Sequence, residues 1–327
     1  MTMRDIRWGF IGCGQAAESA LPAFLMIDGV SVVAVMSHSK SEAQQFSHRH
    51  SIKEYYTDAA QLVNDPNVDA VYIATPPSTH PIYAIMAMNA RKPVLIETPL
   101  AASYDDCARI NRVAQTTGMP CFVAYYRRYN PYFMKVSELL ASKSIGKVQN
   151  LQIRFSTPPH SHDLDPRTQS WRTNPDIAGA GYFYHVAAEQ FDIIQHNLGV
   201  ITHARGYTAN RANLYTAEDN VSACFQLHNG IPGSGSWTFV GHHSHSDDRI
   251  EILGTEGTLC FSMYSYSPIH LHTNKGIDSF DIAKPDYPQL PMLQNVMQAL
   301  RGDTECHATS LSATPVNWVL DRILKKI

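Results

Sequence analysis

The apolar positions of the first 124 residues fall into short runs, at 6–11, 30–36, 70–74, 93–96 and 121–124. Between them lie stretches, around 16–26, 41–50, 79–89 and 104–117, in which apolar residues recur every three or four positions. Runs without alternation predict strands covered on both faces, and the intervening stretches predict helices. Gly118 and Pro120 punctuate the end of the last helix and the start of the last strand. Strand alternating with helix is the rhythm of a parallel sheet.

After Tyr125 the pattern changes. A helix is predicted over 131–140, a strand with one wet face over 148–155, and a loop rich in Pro, His and Asp over 157–166. A long amphipathic helix over 182–197 is followed by strands at 203–208, 220–226, 235–239, 248–253, 257–261 and 269–272. Strands joined by short turns predict an antiparallel sheet with helices on one side. Two closing helices, near 290–300 and 314–325, complete the reading, with no internal repeat. The expected organisation is a parallel α/β domain over 1–124 and an α+β domain with an open, mostly antiparallel sheet over 125–327.

Composition narrows the class. With 44% hydrophobic and 17% charged residues, the 327-residue chain has the make-up of a globular protein rather than a disordered one. A formal charge of −3 gives no basic excess for nucleic acid or an anionic membrane surface. No apolar run approaches the roughly 20 residues that cross a bilayer. The N-terminus shows no secretory leader, and the six cysteines have no metal-type spacing, so reduced thiols and a cytoplasmic location are expected.

The chemistry starts directly after the first strand, with Gly12-Cys13-Gly14-Gln15-Ala16-Ala17. This is G-x-G-x-x-A opening a helix, the dinucleotide fingerprint of a Rossmann fold. Gly12 permits a tight turn, Gly14 lets a pyrophosphate reach the backbone, and Ala17 allows close helix–strand packing. The helix N-terminus adds free N–H groups and partial positive charge. At the end of the second strand an NAD-binding chain carries an acid, and here Ser37-His38-Ser39-Lys40 stands instead. Hydroxyls and positive charge there predict NADP(H) in preference to NAD(H). The same segment also reads as a solvated turn with the cofactor contacts elsewhere.

Further motifs follow in order: Ala74-Thr75-Pro76-Pro77-Ser78-Thr79-His80, Glu97-Thr98-Pro99-Leu100, Tyr125-Tyr126-Arg127-Arg128, Trp171-Arg172, the stretch 179–192, and Asn317-Trp318-Val319-Leu320-Asp321. Together with the glycine loop they resemble the Gfo/Idh/MocA family of glucose–fructose oxidoreductases and inositol dehydrogenases over almost the whole chain. The resemblance implies a cofactor across the strand ends, its nicotinamide in a cleft between domains. It also implies an oligomer, a homodimer or homotetramer, built on the exposed face of the second sheet.

Three departures stand out. Where family members carry Glu-Lys-Pro, this chain has Glu97-Thr98-Pro99, and Thr98 has no useful pKa. Where the family pattern places Asp and His on the second-domain helix, this chain has His185 and Glu189. His185, Glu189 and Asp192 share one helical face, and a His one turn before a Glu can pair with it and pass a proton. The same spacing also describes an ordinary surface polar pair. His185, Glu189 and Thr98 are therefore the candidate catalytic residues. The candidate cofactor residues are those of the glycine loop, Ser37, His38 and Lys40 at the second strand end, Ala74, Thr75 and Pro76, His80, and Glu97. Tyr126, Arg127, Trp171 and Arg172 are substrate-side candidates by resemblance, and Arg127 and Arg172 read equally as salt-bridge partners. No metal set is expected: the histidines at 160–162 and 242–245 lack a carboxylate or thiol framework.

Three functions remain open at this point. One is an NAD(P)-dependent oxidoreductase acting on a sugar, polyol or related carbonyl compound. Another is a non-catalytic sensor that binds the same cofactor. The third is an enzyme that recycles a bound cofactor for elimination or glycoside cleavage.

Overall fold

The computed structural model describes residues 5–327. Contacts divide the chain into two compact units: the described residues up to Tyr126 with Tyr287–Thr314, and Arg127–Asp286 with Pro315–Ile327. The sequence pattern predicts a single boundary, after residue 124. The contacts return 287–314 to the first unit.

In the first unit, β1 (Ile6–Ile11) leads to α1 (Gln15–Leu25), β2 (Val30–Met36), α2 (Lys40–His50), β3 (Glu54–Tyr56) and α3 (Ala59–Asn64). Then come β4 (Ala70–Ile73), α4 (His80–Asn89), β5 (Val94–Ile96), α5 (Tyr104–Thr117) and β6 (Cys121–Val123). All six strands are parallel, in the order β3-β2-β1-β4-β5-β6. That is a Rossmann order, with its topological switch between β1 and β4. The runs read as strands are buried because helices cover both faces, and Trp8, Phe10 and Ile11 of β1 have no exposed surface. Phe24 of α1 meets Trp8 and Phe10 edge-on, with ring centroids 5.1 and 5.0 Å apart. Helix ends follow local rules. Ser103 accepts the backbone N–H of Asp106 at the start of α5, and Gly118 closes the helix at φ 66°.

The second unit opens with α6 (Pro131–Ala141) and β7 (Val148–Ser156), followed by the short α7 (Pro175–Ala178) and the long α8 (Tyr182–Leu198). Six strands then follow directly, β8 (Ile201–Ala209), β9 (Asn220–Leu227), β10 (Pro232–Thr238), β11 (Asp247–Gly254), β12 (Gly257–Phe261) and β13 (Ile269–Thr273), with β14 (Gly276–Phe280) last. Their order is β14-β13-β12-β11-β7-β10-β9-β8, and every neighbouring pair is antiparallel except β7 with β10. One sheet face packs on α8: Phe183 meets Trp237 edge-on, Phe191 meets Phe225, and the Trp237 indole donates to Gln190 at 2.6 Å. The alternate strand positions, such as Arg154 and Tyr207, point away from it.

Helix α9 (Leu290–Arg301) belongs to the first unit, and the division between units falls inside α10 (Ser310–Ile323). In the second unit, α10 is tied to α8 by the Tyr184 hydroxyl, which donates to Asp321 at 2.9 Å and accepts from Asn317 at 3.2 Å.

Four elements escaped the sequence pattern, the four-residue α7 among them. β3 has three residues at one sheet edge, α3 has six, and β14 is a largely exposed edge strand. An edge strand with one neighbour needs little apolar patterning, so the pattern does not announce it.

Candidate functional site

The site is built first from the C-terminal ends of the parallel strands. Gly12 holds φ at +109°, and a Cβ placed on it would lie 2.7 Å from the Ala74 carbonyl oxygen, so only glycine fits. Its N–H donates to Met36 O at 2.8 Å, tying the turn to β2. Gly14 stands at the N-cap of α1 with no side-chain cap, and nothing lies within 4 Å of where its Cβ would project. A helix start with unsatisfied N–H groups beside an open space suits an anion such as a pyrophosphate. Ala17 is fully buried, so the helix lies close on the sheet. The Cys13 thiol is half-buried, and burial, reinforced by Glu42 and Glu18, pushes it up to about 12. It stays a neutral thiol there, and Gln15 and Ala16 continue into α1.

At the end of β2 the structure corrects one premise. A carboxylate is present: the Ser37 hydroxyl donates to Glu42 Oε2 at 2.9 Å. Ser39 caps α2 by accepting the Glu42 N–H at 3.4 Å. Ser39-x-x-Glu42 has the spacing of a helix-capping box, and that spacing was the available signal that an acid sits beside the strand end. His38 is hydrogen-bonded to the Tyr83 hydroxyl at 2.7 Å, and Lys40 is exposed.

Beyond β4, Ala74 N–H donates to Ile11 O at 2.9 Å, and Thr79 Oγ1 donates to Thr75 Oγ1 at 2.8 Å, with Pro76 between. Beyond β5, Glu97 accepts from Tyr72, from the Thr98 N–H at 3.3 Å and from Gln289 at 3.5 Å. Burial, with Glu97 beside it, pushes the Tyr72 phenol well above its ordinary range, so it acts as a donor to that carboxylate. Glu97 is thus engaged by its own unit, and Thr98 follows it half-buried. His80 is completely buried, between Thr75 O and the carbonyls of Pro99 and Leu100, and burial lowers its pKa despite those bonds. It neither caps a helix nor faces outward.

In the second unit, His185 lies on α8 with the Trp171 ring against it edge-on, centroids 5.2 Å apart, and Arg172 lies 4.5 Å over the Trp171 ring. The structure brings Trp171, Arg172 and His185 together. Glu189 pairs with an arginine. Its carboxylate accepts from Arg127 Nη1 at 2.8 Å, with both side chains less than a tenth exposed. Arg127 also donates to Met263 O at 3.3 Å and lies over the Tyr264 ring. A buried guanidinium matches the Glu189 charge. Next to them Asp192 accepts from Arg128 through both oxygens, one bond measuring 2.9 Å. The i, i+4, i+7 stripe is present, and two of its three members, Glu189 and Asp192, bind arginines that lie just before α6. Tyr126 begins a 3-10 turn in the first unit.

The His160–His162 segment also has a partner that the sequence hid. The buried Asp163 accepts from the Tyr182 hydroxyl at 2.8 Å, and His162 reaches that hydroxyl at 3.1 Å. Among the described residues no group of three or more His, Cys, Asp or Glu could hold a metal ion. The second unit has a recess of about 790 Å³ lined by Asp248, Arg249, Cys260 and His270, among others, and it contains none of the candidate residues. No helix among the described residues is long and apolar enough to cross a membrane.

A parallel sheet in this strand order, with an uncapped glycine loop at the switch, defines a dinucleotide-binding protein. Residues 6–125 match the family described as oxidoreductases with an NAD-binding Rossmann fold, and residues 133–260 match the Gfo/Idh/MocA C-terminal domain. The chain belongs to the Gfo/Idh/MocA oxidoreductase family. It is 32% identical to oxidoreductase P35 of Formosa agariphila over 293 residues, spanning 89% of this chain and 90% of that one. It is 26% identical to the scyllo-inositol 2-dehydrogenase (NAD(+)) of Bacillus subtilis, over 86% of this chain and 81% of the relative. A dehydrogenase of Bordetella pertussis, solved with NADH and UDP-GlcNAcA, shares the fold with a TM-score of 0.85 at 22% identity, covering 99% of this chain and 96% of that one.

The two loop glycines separate binding from folding. Gly14→Val has space for its side chain and an extended backbone (φ −82°, ψ −172°), so the melting temperature should hold while dinucleotide affinity falls at least about a hundredfold. Gly12→Ala should instead lower the melting temperature, because the added Cβ meets the Ala74 carbonyl at a positive φ. Calorimetric titration beside thermal unfolding checks both; a Gly14→Val protein that still binds tightly moves the pyrophosphate away from this loop.

Proposed function

We propose that the protein is an NAD(P)-dependent oxidoreductase that interconverts a hydroxyl and a carbonyl on a sugar, polyol or related small molecule. The observation that carries this reading is the open, uncapped helix start at Gly14, which fits a pyrophosphate. The named activity of the inositol dehydrogenase relative supports the substrate class. The nicotinamide, when bound, supplies hydride exchange. The glycine loop and α1 hold the pyrophosphate, and Ser37 with Glu42 faces the adenosine ribose. Proton exchange with the substrate oxygen falls to His185, the titratable side chain packed on Trp171 beside Arg172. Thr98 contributes a hydroxyl for orientation, not a proton at neutral pH.

His185→Ala should therefore reduce turnover by at least about a hundredfold with cofactor affinity unchanged. The assay follows a screen of sugars, polyols and their keto forms with both reduced cofactors. Full activity in that variant removes His185 from the chemistry; cofactor binding with no turnover of any substrate favours the sensor reading.

Cofactor choice turns on the end of β2. Ser37, His38 and Lys40 support NADP(H), whereas the Glu42 carboxylate on Ser37 supports a second reading, NAD(H), since it can accept from ribose hydroxyls and repel a 2′-phosphate. Glu42→Gln should shift the affinity ratio toward NADP(H) by about tenfold, or about 1.4 kcal/mol. An unchanged ratio leaves selectivity with Lys40 and its neighbours.

The protein is further proposed to be a homodimer or homotetramer through the open face of the eight-stranded sheet. Supporting this is Tyr207 on that face, 80% exposed. Light scattering at micromolar concentration should give a multiple of 36.5 kDa; a monomer contradicts it.

A further inference from the structure

Two loops carry the candidate residues beyond β4 and β5, and each begins where the strand ladder stops. The last rungs are Ala74 N–H to Ile11 O and Glu97 N–H to Ile73 O, both 2.9 Å. Past those rungs one side chain joins the loops. His80 Nε2 lies 2.7 Å from Thr75 O, and Nδ1 lies 3.2 Å from both Pro99 O and Leu100 O. The ring has no exposed surface, so no water competes for these carbonyls. A neutral imidazole donates from one nitrogen and an imidazolium from both, so the neutral ring bonds one loop and packs against the other, while the imidazolium bonds both. A carbonyl left without a donor in this buried setting is costly, which makes the ring hard to replace with hydrocarbon. Glu97, bonded to Tyr72 and to the Thr98 N–H, anchors the same turn from its other end.

We infer that His80 is a positioning residue that sets the spacing between the Thr75 loop and the Thr98 turn, and through it the seat of the nicotinamide half of the cofactor. The inference rests on the dinucleotide reading above. In this strand order the pyrophosphate lies at the β1 switch and the adenosine ribose at β2, so the other half of the molecule extends over β4 and β5. Both loops joined by His80 lie on that side. The adenosine half touches β1 and β2 ends, where His80 has no bond. His80 itself touches neither cofactor nor substrate.

The test compares two ligands on one protein. Calorimetry measures the reduced dinucleotide and the fragment lacking nicotinamide: ADP-ribose, or its 2′-phosphate if NADPH binds tighter. His80→Phe fills the volume without a donor and should weaken the dinucleotide about tenfold or more, leaving the fragment within about twofold. His80→Gln keeps an N–H and should recover part of the loss, and it carries the comparison alone if the phenylalanine variant does not fold. Equal weakening of both ligands, or of neither, overturns the positioning role, because general loosening of the fold does not distinguish the two halves. A wild-type protein that binds the fragment as tightly as the dinucleotide also overturns it, leaving the glycine loop intact as a site. If wild type binds neither ligand, the dinucleotide reading itself fails and this inference with it.

Discussion

The gap between Gly12 and the Ala74 carbonyl is the constraint on which the first unit's chemistry depends. Because no side chain fits there, the chain can leave β1 in a turn tight enough to start α1 against the ends of β2 and β4. That turn leaves the first N–H groups of α1 unclaimed by any cap. They face open space with the positive end of a helix dipole behind them, which is an anion site made entirely of backbone. Glu42, Glu97 and His80 then act around a place that backbone geometry has already fixed.

The second unit solves a different problem. The proposed role of His185 requires a defined rotation of helix α8, and apolar packing on the sheet alone tolerates slippage. Two buried guanidinium–carboxylate pairs, Arg127 with Glu189 and Arg128 with Asp192, remove that freedom. Desolvation makes such pairs poor sources of net stability, yet losing one partner costs about 3–5 kcal/mol because a bare charge stays behind. Their value is positional: two adjacent arginines grip one face of α8, and His185 is left at its first turns against Trp171.

Much of this was legible in the sequence. The runs at β1, β2 and β12 have the bounds that hydrophobic pattern alone assigned, because strands buried on a face cannot hide apolar residues. The glycine loop was legible because its residues act through backbone and chain-local spacing. What escaped was pairing over long separations. Arg127 lies 62 positions from Glu189, and the i+4 spacing to His185 suggested the nearer partner. Glu42 lies one helical turn beyond the strand end that carries the expected acid, so the strand-end residues alone do not reveal it. His80 read as a cap or a cofactor contact, and nothing local reveals carbonyls 19 and 20 residues ahead.

The central claim is that nicotinamide chemistry operates here with threonine at position 98 and histidine at position 185. The most direct measurement follows deuterium from reduced cofactor labelled at nicotinamide C4 into a panel of keto sugars and keto polyols, read by mass spectrometry of the products. The account predicts one deuterium on the new carbinol carbon, transferred without exchange into water. Label that stays on the cofactor with every compound, although the cofactor binds tightly, would contradict it.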